Sequence, residues 1–278
     1  MSSRDDGAVE VPELTLRELN NATLSFSEER LIGEGFCSTV FMASLRGGKD
    51  AVAKRIDLRP YGAAVASDYK RHVSAASRLR HENVVRPAAR VLDRHRRPNR
   101  ADLRVGYHGN PSRRGRGNRS LSWAQRVRIA LHTAKGLEYL HDGVQPPVTH
   151  GSVRSSNVLL FEGFRAQTDG NDMFKIASAY NEHTGCEPVG YIAAEGFMMG
   201  LTRKSDVFGF GVVLLELLTG RKAFDQTLPV PILVKWATPL LMEDRVKECI
   251  DPKLGDQYDA NGADHALSHL MENEAGER

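Results

Sequence analysis

Two neighbouring stretches near the amino terminus carry residue types that suit phosphate binding. Gly33-Glu-Gly-Phe-Cys-Ser-Thr-Val40 lies between alternating apolar runs that predict β-strands. Glycines there let backbone amides approach phosphate oxygens, and Val40 could cover an adenine ring. On its own, this pattern favours a plain β-hairpin with turn glycines. Lys54 strengthens the nucleotide-binding interpretation, because it lies on the next predicted strand, where its ammonium could pair with phosphates.

Three more clusters follow in the second half of the chain. They are Val148-Thr-His-Gly-Ser-Val-Arg-Ser-Ser-Asn157, Gly190-Tyr-Ile-Ala-Ala-Glu195 and the apolar helical pattern from Ser205 to Lys222. Together with the glycine turn and Lys54, these motifs make the chain resemble a eukaryotic protein kinase. More narrowly, it resembles the plant receptor-like cytoplasmic kinases of the Pto-interacting group. The resemblance covers residues 12–85 and 120–255.

The resemblance implies an α+β fold of two lobes. The amino-terminal lobe would hold an antiparallel sheet and one helix, and the carboxy-terminal lobe would be mainly helical. ATP would lie between the lobes, and its terminal phosphoryl group would pass to a serine or threonine. The partners implied are proteins of a kinase signalling pathway.

The resemblance also implies ATP and Mg²⁺ as cofactors and assigns residues to them. The residues at nucleotide-binding positions are Ile32, Gly33, Gly35, Val40 and Lys54, and the residue at a metal-binding position is Asn157. A shift of one residue, which would exchange Lys54 for Arg55, stays open. His72 falls where a helix glutamate normally pairs with the strand lysine, and a neutral imidazole would not hold the ammonium in the same way.

The catalytic loop departs from the family pattern at its central residue. Ser152 stands where the catalytic aspartate belongs, and Gly151 replaces the arginine before it. A serine hydroxyl cannot accept a substrate proton at neutral pH, so the general-base or orienting role is lost. No residue is therefore assigned as catalytic.

The second metal-binding position, normally an aspartate, has three candidates. Counting without gaps from Asn157 leads to Gly170, and the Lys175-Ile-Ala pattern leads to Ser178; neither offers a carboxylate. Asp169 would require a deletion of one residue in a hairpin loop, which such loops tolerate. The sequence leaves all three open.

Several helices are predicted to position these motifs. Thr15 and Glu18 form a capping-box pattern for a short helix, and Ser122 can cap a helix that runs to His141. The other predicted helices cover residues 66–80, 205–219 with Gly220 as stop signal, 233–241 and 243–250.

The charge of the chain is concentrated in one segment. The 278 residues carry a formal charge of +3, yet residues 86–119 hold eleven arginines and two aspartates, or +9, which leaves −6 elsewhere. With its prolines and glycines, this segment is predicted to be a loop or disordered and to replace the hinge that binds adenine. Because only Tyr107 is aromatic there, a nucleic-acid or anionic-membrane site is the weaker interpretation.

The predicted organisation has five parts. Residues 1–12 form a flexible lead, 13–85 the amino-terminal lobe, 86–119 the arginine-rich segment, 120–255 an incomplete carboxy-terminal lobe, and 256–278 a polar tail. Three scattered cysteines exclude a disulfide framework and a zinc site. We expect a cytoplasmic protein with no membrane-spanning segment; attachment at the plasma membrane, known in the family, is the alternative.

Three functions follow from these observations. The first is a pseudokinase, a kinase-fold protein with impaired catalysis that acts by binding other proteins. The second is an active Ser/Thr kinase that uses Asp169 or Asp172 for metal. The third is a basic module that binds nucleic acid or anionic membrane through residues 86–119.

Overall fold

The computed structural model describes residues 13–34, 38–47, 49–56, 76, 78–85, 87–91, 102–107, 120–169, 189–192 and 201–257. The chain divides into two compact units. The first comprises Met1–Arg113, Phe161–Gly163 and Asp169–Glu187, and the second comprises Arg114–Leu160, Phe164–Thr168 and Pro188–Arg278. Within the described residues, no helix combines the length and apolar character that crossing a membrane requires.

A six-stranded sheet forms the first unit. Its strands are β1 (Glu13–Leu14), β2 (Leu31–Glu34), β3 (Ser38–Leu45), β4 (Lys49–Ile56), β5 (Pro87–Val91) and β6 (Asp102–Tyr107). They lie in the order β1-β5-β6-β4-β3-β2, and only the β1–β5 pair is parallel. The antiparallel sheet predicted for this part of the chain is confirmed.

A short helix packs on one face of this sheet. Helix α1 (Leu16–Ala22) begins with the predicted capping box, in which the Thr15 hydroxyl accepts from the Glu18 amide and Glu18 accepts from the Thr15 amide. Leu19 is fully buried, in one cluster with Phe41 of β3 and Ala53 of β4. Because side chains alternate along a strand, Lys54 then faces the opposite side of the sheet.

Two strands lie inside the arginine-rich segment. β5 and β6 occupy residues 87–91 and 102–107, and β6 pairs with both β4 and β5. The expectation of a continuous loop or disordered segment over residues 86–119 is therefore wrong for these two stretches. Strand pairing satisfies their backbone groups, and this tertiary contribution outweighs the weak local β-propensity of arginine, proline and glycine. The remaining residues of the segment lie outside the described residues.

Three helices and a hairpin build the described part of the second unit. The helices are α2 (Trp123–His141), α3 (Arg203–Thr219) and α4 (Leu233–Met242), and the hairpin pairs β7 (Val158–Leu160) with β8 (Ala166–Thr168). Short 3₁₀ turns cover Glu28–Arg30, Ser155–Asn157, Glu162–Phe164, Val246–Glu248 and Pro252–Gln257 along the chain.

Most predicted helix limits are confirmed. Ser122 caps α2 through a capping box with Gln125, and Gly220, at φ 68°, ends α3. α3 begins two residues earlier than predicted, because Thr202 and Ser205 form their own capping box. The helix predicted over 243–250 is wrong: only Val246–Glu248 form a 3₁₀ turn, after Asp244 takes a left-handed φ of 56°. Of the helix predicted over 66–80, the structure describes residues 76 and 78–80: Ala76 is helical, and residues 78–80 are not, so the predicted end is wrong.

A buried arginine ties together the two long helices and the last described segment. The Arg126 guanidinium donates to the carbonyls of Leu121 and Leu217, and to the carboxylate of Asp251. Both side chains of the ion pair are nearly inaccessible. Gly220 allows the approach, since a Cβ there would stand 2.5 Å from the Asp251 carboxylate.

Three consecutive residues after α1 adopt left-handed backbone conformations. Leu24, Ser25 and Phe26 have φ values of 51°, 57° and 58°, and none is glycine. Each such residue costs about 1 kcal/mol relative to glycine. The cost is offset by local hydrogen bonds, such as that from the Ser25 amide to the Asn20 carbonyl at 2.6 Å.

Replacing Ser25 by glycine should therefore stabilise the protein. Ser25 is exposed, so little packing is lost, and we expect the free energy of unfolding to rise by about 0.5–1 kcal/mol. Urea denaturation measures the change. Ser156→Gly is the matched control at an exposed serine without a positive φ, and it should lower stability by a similar amount. If Ser25→Gly and Ser156→Gly changed the free energy of unfolding equally, the backbone strain assigned to Ser25 would be contradicted.

The Arg126–Asp251 pair should make stability fall at acidic pH. Burial raises the pKa of Asp251, but the hydrogen bonds from Arg126 and Lys253 and their charges outweigh it, so the pKa is lowered. The unfolded carboxyl group, with a pKa of about 3.9, then binds its proton first as pH falls. The stabilisation is complete above that value and is lost as pH drops through the folded-state pKa.

Asp251→Asn removes this contribution and leaves the guanidinium buried without its anion. We expect a loss of about 3 kcal/mol at pH 7 and a weaker dependence of stability on pH below about 4, measured by urea denaturation. Glu138→Gln, at an exposed position of α2, is the control and should change neither the free energy of unfolding at pH 7 nor its dependence on pH. If the stability of Asp251→Asn depended on acidic pH as strongly as that of the unmodified chain, the contribution assigned to the Arg126–Asp251 pair would be contradicted.

Candidate nucleotide and catalytic-loop sites

A buried ion pair lies in the first unit. Lys54 Nζ stands 2.9 Å from Asp169 Oδ2, and both side chains are at most one-tenth exposed. Lys54 sits in the middle of β4, opposite Val40 of β3. Two buried charges are tolerated in this way only because each compensates the other.

The neighbouring arginine lies in different surroundings. Arg55 is exposed, and its guanidinium lies over the rings of Phe26 and Phe41, at 5.6 and 5.5 Å from their centroids. The two rings contact each other edge to face at 5.2 Å. The cation that meets the carboxylate is therefore Lys54 and not Arg55.

The chain reaches Asp169 directly from strand β8. The β7–β8 register pairs Val158 with Thr168, so Asp169 is the first residue beyond the hairpin. Gap-free counting did not give this position, because the length of a hairpin loop does not follow from its flanking motifs. The other two candidates, Gly170 and Ser178, lie outside the described residues.

The glycine turn is described in part. β2 and β3 are antiparallel with an irregular register between Leu31 and Gly33, and a Cβ at Gly33 would meet no atom within 4 Å. Ile32 is 40% exposed, and Val40 is half-buried. Gly35 lies outside the described residues, as do His72, Asp172 and Glu195.

One carboxylate anchors the catalytic loop in the second unit. Asp206 on α3 is almost completely buried and accepts hydrogen bonds from the backbone amides of His150 and Gly151, each at 2.7 Å. His141 Nε2, at the end of α2, lies 2.7 Å from the same carboxylate. Gly151 has a φ of 77°, which glycine adopts without strain.

Ser152 and Asn157 are brought together inside this loop. Asn157 Nδ2 donates to the Ser152 carbonyl at 2.8 Å and to the Ser152 hydroxyl at 3.1 Å. The Ser152 amide donates to His150 Nδ1 at 3.2 Å. Both side chains are buried, and the Ser152 hydroxyl accepts a hydrogen bond from Asn157.

A tyrosine contact was not predicted from the sequence. The Tyr191 hydroxyl donates to Glu216 Oε2 at 2.6 Å and lies 2.9 Å from the Ser155 hydroxyl of the catalytic loop. Burial, and then the charge of Glu216, raise the pKa of Tyr191 well above its usual value. The available signal was Glu216 itself, an acidic residue that interrupts the apolar stretch of α3.

The sequence comparisons agree with this arrangement. The family described as protein tyrosine and serine/threonine kinase matches residues 26–239. The chain belongs to this protein kinase family. PTI1-like tyrosine-protein kinases 2 and 1 of Arabidopsis thaliana are each 42% identical over 264 residues, which is 90% of this chain and 72% and 73% of theirs. Receptor-like kinases of the same plant, such as PERK2, are also similar, at 36% identity over 87% of this chain and 35% of theirs.

A solved structure supports the fold. The pseudokinase domain of BIR2, an immune regulator of the RLK/Pelle family, matches with a TM-score of 0.66 and 28% identity, over 92% of this chain and 77% of that one. The predicted kinase fold and the resemblance to plant receptor-like and PTI1-like kinases are thereby confirmed. The incomplete carboxy-terminal lobe stays a prediction.

Proposed function

We propose that this kinase-family chain is catalytically impaired, keeps a nucleotide-binding region and acts by binding signalling proteins. The observation that carries the proposal is Ser152, at the position of the catalytic carboxylate. Phosphoryl transfer in this family depends on a carboxylate that orients the acceptor hydroxyl. Ser152 offers only a hydroxyl, and Asn157 already donates to it. Loss of such a group typically lowers the rate by about 10²–10⁴-fold.

The nucleotide-binding part of the proposal rests on Lys54 and Asp169. An ammonium suits phosphate oxygens, and a carboxylate oxygen is a ligand that Mg²⁺ prefers. In the structure, the two groups form an ion pair at 2.9 Å. Bound Mg²⁺ would neutralise phosphate charge, with Asp169 as its ligand and Lys54 on the phosphates.

The other assigned residues complete the proposed binding region. Ile32 and Val40 would contact the adenine, and Gly33 and Gly35 would bring backbone amides to the phosphates. Asn157 is proposed as a second metal ligand through its side-chain oxygen, since its nitrogen donates to Ser152. A cytoplasmic location, with attachment at the plasma membrane as the alternative, belongs to this proposal and rests on the similarity to PTI1-like kinases.

Restoring the carboxylate should restore transfer. Asn157 Nδ2 can donate to a carboxylate at position 152 as it does to the hydroxyl, so we expect Ser152→Asp to fold and to transfer phosphate at least about tenfold faster than the unmodified chain. The measurement is incorporation of labelled phosphate from ATP and Mg²⁺ into the chain itself and into casein.

Two controls make this result specific. Ser156→Asp adds the same charge at an exposed position four residues away and should leave transfer unchanged. Adding Lys54→Ala to Ser152→Asp should abolish the gain, because the phosphates lose their cation. If the unmodified chain transfers phosphate as fast as Ser152→Asp, and Lys54→Ala abolishes both rates, the proposed impairment is wrong.

The Lys54–Asp169 pair favours a second candidate, an active kinase with atypical motifs. This candidate requires a metal-dependent nucleotide complex and turnover without a carboxylate at position 152. Both the impaired and the active kinase require the nucleotide complex, but only the active kinase requires turnover.

Thermal melting with and without Mg²⁺ tests the shared requirement. ATP with Mg²⁺ should raise the Tm of the unmodified chain by a few degrees, by mass action, and ATP alone should raise it less. Asp169→Asn should lose the Mg²⁺-dependent increase, measured against its own Tm without ligand, while the exposed Asp142→Asn keeps it. A Mg²⁺-dependent shift with turnover in the unmodified chain supports the active kinase; the shift without turnover supports impairment. If no shift occurs, nucleotide binding is excluded for both.

A further inference from the structure

A short hairpin in the second unit exposes apolar side chains. It joins α3 to α4 over residues 223–233, and Phe224 and Val230 are 42% and 41% exposed. Phe224 lies opposite Ile232 in an isolated antiparallel bridge, and Val230 lies two residues before Ile232 on the same arm of the hairpin. We call this set of three residues the hairpin face.

A second segment adds to the hairpin face. Gly190 lies against the hairpin, since a Cβ on it would stand 2.7 Å from the Ala223 carbonyl oxygen. Val189, the residue before it, is 56% exposed. Exposed apolar residues from two segments are thus joined by a direct backbone contact.

One edge of the hairpin offers backbone groups for pairing. The Asp225 amide donates to the Pro231 carbonyl, and the Leu233 amide donates to the Ala223 carbonyl, each at 2.9 Å. This pattern makes Phe224 and Ile232 a non-hydrogen-bonded pair, so the N–H and C=O of Phe224 point outward. Neither group bonds to any residue that the structure describes.

Two charged residues, Lys222 and Asp225, lie beside the hairpin face. Lys222, two residues before Phe224, is exposed and forms no ion pair within the described residues. Asp225, on the other side of Phe224, is paired with Arg221 at 3.2 Å and accepts from the Thr227 amide and hydroxyl. Asp225 is thus neutralised by Arg221, and the charge beside the hairpin face that a partner can meet is the positive charge of Lys222.

We propose that this edge binds an extended peptide of a partner protein, with alternating apolar side chains and an acidic residue. The peptide adds a strand beside Phe224, its backbone pairs with the outward N–H and C=O, and its apolar side chains contact Phe224. Its acidic residue meets Lys222, which fixes the direction of the strand. The proposal goes beyond the proposed function, because it does not depend on nucleotide or on Ser152.

Binding of a synthetic peptide to the full chain tests the proposal. The probe is a fluorescein-labelled peptide, Glu-Val-Thr-Val-Thr-Val, followed by fluorescence anisotropy, and we expect saturation below about 1 mM. A second peptide has proline in place of both threonines, which keeps the charge and removes two backbone donors. It should bind at least about tenfold more weakly.

Variants of the chain locate the site. Phe224→Ser should weaken binding about tenfold, with an unchanged Tm because the side chain is exposed. Lys222→Glu should weaken it about threefold, and a peptide with lysine in place of glutamate should recover that loss. Lys135→Glu, at an exposed position of α2, is the matched control and should leave binding unchanged.

Three outcomes would overturn the proposal. They are absence of saturable binding at about 1 mM, equal binding of the proline peptide, and equal binding by Phe224→Ser. Sedimentation of the chain alone gives a further check: a dimer that Phe224→Ser dissociates would identify a second copy as the occupant and contradict a peptide partner. Ser152→Asp should bind the peptide normally, so failure here is distinguishable from failure of the proposed function.

Discussion

The buried carboxylate of Asp206 holds the catalytic loop in place. It accepts hydrogen bonds from two successive backbone amides, of His150 and Gly151, and contacts His141 at the end of α2. Such bonds hold the main chain whatever side chain follows. The loop can therefore keep its conformation when the residue at position 152 changes, and the fold does not depend on the chemistry that the loop performs in active kinases.

The two candidate sites differ in the groups that they hold. In the first unit, Lys54 and Asp169 keep opposite charges at 2.9 Å, which is what a phosphate and metal site requires. In the second unit, the side-chain amide of Asn157 donates to the hydroxyl of Ser152, and both side chains are buried. Nucleotide binding and catalysis are separate requirements, and each depends on a different set of these groups.

The relatives of this chain include proteins named as kinases and one named as a pseudokinase. The PTI1-like proteins are 42% identical, and the BIR2 pseudokinase domain shares the fold at 28% identity. Identity over the whole chain therefore does not decide between activity and impairment.

The sequence by itself determined the local structure and the order of the motifs. Thr15, Ser122 and Gly220 were identified because each acts within a few residues of its own position, where spacing along the chain sets the geometry. Only the tertiary structure decided which distant groups meet. The pairing of Lys54 with Asp169, of Arg126 with Asp251 and of Tyr191 with Glu216, and the placing of residues 102–107 as a strand, depend on segments far apart in the chain. Their contact free energy appears only when the chain folds, so a local pattern can mark a residue such as Glu216 but not the partner that it meets.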